Sequence, residues 1–67
     1  MGLNKVWLVF TVEDYEPPNL RSVHQTKEGA LAHAKHHYID SNARQTSELC
    51  WRNSFDTVYV SQEDVEP

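Results

Sequence analysis

The segment from Lys5 to Glu13 constrains the fold more than any other part of this chain. Lys5-Val-Trp-Leu-Val-Phe-Thr-Val-Glu13 is rich in β-branched and aromatic residues and holds no Gly or Pro, the composition of a strand. Side chains alternate across a strand, so Val6, Leu8, Phe10 and Val12 share one face and Trp7, Val9 and Thr11 the other. A strand apolar on both faces belongs inside a sheet rather than at its edge.

The rest of the chain supplies neighbours for that strand. Asp14-Tyr-Glu-Pro-Pro-Asn19 breaks the pattern, because two prolines stop strand pairing and stiffen the loop. Leu20 to His24 predicts a short second strand. Thr26 is suited to cap a helix, Glu28 complements the helix dipole, and Ala30, Leu31, Ala34 and Tyr38 form a narrow apolar stripe. Asp40-Ser-Asn42 is expected to end the helix. Ser41 to Thr46 predicts a polar loop, Ser47 to Arg52 a possible third strand, and Asn53-Ser54 a turn. Phe55 to Val60 predicts a closing strand, and residues 62–67 a flexible acidic tail. No internal repeat or low-complexity tract interrupts this order.

These elements predict one α+β domain over residues 1–67: a three- to four-stranded antiparallel sheet with one helix on one face. A crossover through the helix allows the first strand to lie between the second and the last, antiparallel to both. The sheet's second face is then open, with Trp7, Val9 and Trp51 exposed on it unless something covers them. An open face on so small a domain invites a partner or a second copy.

Composition narrows the function classes. At 67 residues, with Leu, Ile, Val and Phe contributing 15, the chain can build only a thin core. That length excludes two-domain enzymes and large cofactor folds. Ten acids against six bases give a net charge of −4, without the basic footprint that nucleic acid or an anionic membrane requires. The single cysteine, Cys50, forms no intrachain disulfide, which points to a reducing compartment. The apolar run Val6 to Phe10 is too short for a signal peptide or a membrane span. The expectation is a cytoplasmic protein with no cofactor.

Three groups of side chains are candidates for function. Glu13, Asp14 and Glu16 surround Tyr15 in the proline-stiffened loop, and carboxylates around an exposed aromatic suit a basic protein surface. Trp7 and Trp51 are candidate contacts on the open sheet face. His33 and His37, four apart on the helix, form half of a metal site, with His36 adjacent and His24 just before the helix. No Cys-x-x-Cys or His-Glu-x-x-His pattern accompanies them, and His33 and His36 fall away from the Leu31 stripe. Solvated helix histidines are therefore expected, and no metal. The acids have no pocket in which to shift their pKa values, and Cys50 beside Trp51 reads as a packed thiol, so an enzyme is not expected.

Val6 to Glu16, Arg21-Ser-Val-His-Gln-Thr-Lys-Glu-Gly-Ala-Leu-Ala-His-Ala34 and Phe55 to Val60 together resemble small, mostly uncharacterised phage and bacterial β-β-α-β proteins. The shared features are structural: a Tyr-Glu turn, a Thr-Lys-Glu helix start, an alanine-rich helix and a closing strand. The resemblance implies the fold and a phage or mobile-element origin, and it transfers no catalytic residue. By analogy with anti-CRISPR proteins, it implies inhibition of a host or defence-system protein in the host cytoplasm. Two alternatives follow from the residues: a homodimeric structural or assembly protein, and a histidine-based metal-binding protein.

Overall fold

A computed structural model describes residues 4–65. Along the chain lie β1 (Asn4–Glu13), β2 (Asn19–His24), α1 (Lys27–His37), β3 (Arg44–Ser47), β4 (Cys50–Arg52) and β5 (Asp56–Val65). The strands form one antiparallel sheet in the order β2-β1-β5-β4-β3. As its two-faced composition requires, β1 lies inside the sheet, between β2 and β5 and antiparallel to both. The helix connects β2 at one edge to β3 at the other.

Helix α1 begins where the sequence places its cap. Thr26 has an extended backbone, and its Oγ1 accepts from the Gly29 N–H at 3.0 Å. The helix is shorter than expected, ending at His37, and both Tyr38 and Ile39 donate their backbone N–H to the Ala34 carbonyl. Ala30 and Ala34 are fully buried, with Leu31, Tyr38 and Ile39 packed around them. Small side chains let the helix axis approach the sheet closely.

The core joins those alanines to Val9, Trp51, Val58 and Val60, with Trp7 packed at its margin. The helix therefore covers the Trp7–Val9–Thr11 face of β1, which corrects the expectation that Trp7, Val9 and Trp51 stand on the open face. Sliding a strand by one residue would exchange the two faces completely, but the observed pairing buries Val9 and Thr11 on the helix side. Leu8, Phe10 and Val12 instead line the uncovered face, where Phe10 stacks on Tyr59 with ring centroids 5.0 Å apart. Thr11, buried on the helix side, accepts a hydrogen bond from Arg21 Nε at 2.8 Å. Arg21 sits at a register shift between β1 and β2.

The sheet has five strands rather than three or four. Ser47 to Arg52 is not one strand but a tight turn at Glu48-Leu49 followed by β4, and the segment expected to be a polar loop contributes β3. Every residue of β3 is exposed, so nothing in it alternates. At the other end, β5 continues through Gln62 to Val65, which pair with Trp7 to Asn4 where a flexible tail is expected. Lys5 supports that pairing with an ion pair to Asp64 at 2.8 Å. Residues 66 and 67 of the expected tail lie outside the described residues.

Candidate functional site

The register pairing Glu13 with Asp56 fixes what lies at the far end of β1. It brings the β1–β2 loop next to the turn between β4 and β5. In the first of these, the Glu16 N–H donates to the Glu13 carbonyl at 3.0 Å, closing a four-residue turn. Tyr15 occupies its third position with φ 65°, the one positive φ at a non-glycine residue among those described. That position of a turn ordinarily takes Gly or Asn, since a Cβ crowds the neighbouring carbonyl there. The Tyr15 ring packs on nothing and is fully exposed.

The loop is tied down from the neighbouring strands. Arg52 of β4 donates from Nη1 to Asp14 Oδ1 at 3.1 Å and from Nη2 to Asp14 Oδ2 at 3.3 Å, a two-point clamp, and Nη1 also reaches Thr57 Oγ1 at 3.2 Å. The bond to Asp14 raises the Arg52 pKa above its already high value. Beside it, Phe55 is 84% exposed.

The turn carrying Phe55 is anchored by Asn53, which is itself buried. Asn53 Nδ2 donates to the Tyr38 carbonyl at 2.7 Å and to Asp56 Oδ1 at 2.8 Å, while its Oδ1 accepts from the Asp40 N–H at 3.0 Å. One amide thus joins the end of α1 to the start of β5. The result is an open groove of about 660 Å³, in which Glu13, Asp14, Asp40 and Asp56 stand with His37 and Phe55. No family model, curated protein or solved structure matches the chain.

The candidate residues separate into two sets. Glu13, Asp14, Tyr15 and Glu16 are exposed together in the loop, as expected. Trp51 is 7% exposed and Trp7 is packed against the core, so neither joins them. Trp51 faces the helix because it lies opposite the buried Val58 on β5, and Trp7 because it shares a parity with Val9. Phe55, Asp40 and Asp56 enter the groove without having been candidates in the sequence, and His37 enters it although the sequence offers it only as half of a metal site. The Asn53-Ser54 turn was the available signal for Phe55: one more residue in that turn removes Phe55 from the strand and exposes it.

Of the histidines, His36 and His37 are exposed and His24 and His33 half-buried. His24 and His33 have ring centroids 5.0 Å apart, His33 and His37 4.4 Å, and His36 and His37 4.7 Å. His33 is half-buried and also lies 5.7 Å from the Tyr38 ring. Among the described residues, no group of three or more His, Cys, Asp or Glu side chains is placed to hold a metal ion. Partial desolvation, then the neighbouring His33 and His36, lower the pKa of His37 below 6.5. An imidazole harder to protonate in the folded chain makes the unfolded chain bind more protons as pH falls through 6.5. Metal-free protein is therefore expected to melt at lower temperature at pH 5 than at pH 7.5. His37→Gln is expected to reduce that dependence, and an unchanged pH profile in the variant would contradict this account.

Proposed function

We propose that this chain is a non-enzymatic protein-binding module that docks on a basic protein surface through the Tyr15–Phe55 end of its sheet. The observation that carries the reading is Tyr15: a bulky ring held in a backbone conformation suited to glycine, contributing nothing to the core. Strain of this kind persists where surrounding structure enforces it, and it concentrates at binding sites. Two protruding aromatics beside Glu13, Asp40 and Asp56 suit a partner's Lys or Arg side chains, through cation–π contact and charge pairing. Pro17, Pro18 and the Asp14–Arg52 clamp hold the loop in place before binding, which lowers the ordering cost. The resemblance to small phage proteins favours a host or defence-system protein as the partner and the host cytoplasm as the setting.

Opposite effects on stability and binding test this reading. Tyr15→Gly is expected to raise unfolding stability by up to about 1 kcal/mol, because glycine adopts this φ freely. The same change, combined with Phe55→Ala, is expected to weaken capture of a basic partner from host lysate by tenfold or more. Equal capture by wild type and the double variant would sink the proposal.

The uncovered sheet face favours a second reading, a homodimer with an assembly role. It carries Leu8, Phe10 and Tyr59, with Leu20 and Val23 more than half exposed at its β2 side. Sedimentation separates the two: a dimer at micromolar concentration that Phe10→Ser dissociates supports the second, and a monomer supports the first.

A further inference from the structure

We propose that His37 makes the Tyr15–Phe55 groove a pH-gated docking site, which holds a basic partner at neutral pH and releases it as His37 takes up a proton. The inference rests on the partner-binding reading and adds the regulation of that site.

The position of His37 follows from where α1 stops. It is the last residue of the helix, and its side chain lines the groove together with Glu13 of β1, Asp14 of the adjoining loop, Asp40 beyond the helix and Asp56 of β5. Asp14 is already engaged by Arg52 at 3.1 Å. Among the described residues, Glu13, Asp40 and Asp56 form no ion pair, so their charge is available to a partner. Imidazole is the one side chain in the groove whose ordinary titration range lies between pH 5 and 8.

His37 also ends a row of imidazoles. Ring centroids are 5.0 Å apart for His24 and His33, 4.4 Å for His33 and His37, and 4.7 Å for His36 and His37. His24 comes from the end of β2, and the other three from α1. The Tyr38 ring lies 6.1 Å from His37, and Lys35, two residues back on the helix, points from a different face. Among the described residues, no imidazole forms an ion pair with a carboxylate. A proton added to the row therefore meets like charge at close range. Partial desolvation, then His33 and His36, disfavour protonation of His37.

These facts set the direction of the gate. At pH 7.5 the ring is neutral, and the groove offers its carboxylates to a partner's Lys or Arg. As pH falls below 6.5, His37 becomes a cation among them and repels the same groups. Net charge acts in the same sense: protons on all four histidines cancel the chain's −4 and remove its long-range attraction for a basic surface. Linkage requires the converse. A cationic partner lowers the proton affinity of His37 further, so binding near pH 6.5 expels protons.

The test titrates the full chain with an octaarginine peptide by calorimetry at low ionic strength, at pH 7.5 and 5.5, with folding followed by circular dichroism. Wild type is expected to bind at least about fivefold more weakly at pH 5.5. At pH 6.5 it should release protons on binding, read from the dependence of the heat on buffer ionisation. His37→Gln is neutral at both pH values, and its loss of affinity should fall below about twofold, with little proton release. His24→Gln removes a ring outside the groove and should keep a loss of at least about threefold. Equal wild-type affinity at the two pH values would overturn the gate and leave the docking reading standing. So would a pH dependence that survives in His37→Gln, or one that His24→Gln abolishes as completely. No binding by wild type at pH 7.5 would remove the docking reading and the gate with it. If the chain unfolds at pH 5.5, proton release at pH 6.5 decides: release that His37→Gln lacks supports the gate, and equal release by both chains refutes it.

Discussion

Asn53→Ala is expected to lower unfolding stability by about 2–4 kcal/mol, measured by urea denaturation. The side chain makes three hydrogen bonds from a buried position, and its own N–H donates to the Asp56 carbonyl at 2.8 Å. Truncation leaves the Asp40 N–H and the Tyr38 carbonyl without partners at the end of α1. A buried polar group deprived of its partner costs about 1–3 kcal/mol, more than the net worth of the bond itself. A domain this short holds only about 3–10 kcal/mol in total, so the variant approaches the point of unfolding at room temperature. Asn53→Asp is expected to be at least as damaging. It keeps the acceptor for the Asp40 N–H but turns a carboxylate toward the Asp56 carboxylate and the Tyr38 carbonyl. A loss below about 1 kcal/mol for Asn53→Ala would show that solvent satisfies those groups and that the turn is held by something else.

Asn53 also marks the limit of what the sequence discloses. Between Arg52 and Ser54 it reads as an ordinary turn residue, and nothing near it in sequence announces Tyr38 or Asp40, which lie 15 and 13 residues earlier. The strands and the helix were legible where a local rule writes them: alternation in β1, the cap at Thr26, the alanine stripe of α1. The acidic loop was legible because prolines and charges exclude it from the sheet. β3 was not, because an edge strand exposed on both faces needs no apolar pattern and is held by its neighbour's backbone. The extension of β5 was hidden for a similar reason. Gln62, Glu63 and Asp64 look like a solvated tail, and their pairing comes from the length of β1 opposite them. The groove depends on register, which joins residues distant in the chain. Glu13 and Tyr15 could be recognised as one feature, whereas the arrival of Phe55 and His37 beside them depends on how β5 pairs with β1 and where α1 stops.

Trp51→Ala is expected to have the largest effect of any single substitution, a loss of about 3–5 kcal/mol. Alternation within β4 leaves Cys50 and Arg52 on one side and Trp51 on the other, opposite Val58 of β5 and Gln45 of β3. Among the described residues, two of the six buried apolar side chains are alanines, so the indole fills volume that the helix leaves empty. Removing it opens a cavity that so thin a layer cannot close without moving the helix, and in a domain of this size the chain should be largely unfolded at 37 °C. Trp51→Phe keeps most of the apolar volume and should retain a cooperative transition at reduced temperature. These outcomes also decide between two roles for the residue. A contact residue on an open face would leave the melting temperature of Trp51→Ala near that of wild type and remove only partner affinity. A core residue takes the fold with it, and every surface that depends on the fold. Retention of wild-type stability by Trp51→Ala would mean that the helix covers the other face of β1, and the assignment of Leu8, Phe10 and Tyr59 to the uncovered face would fall with it.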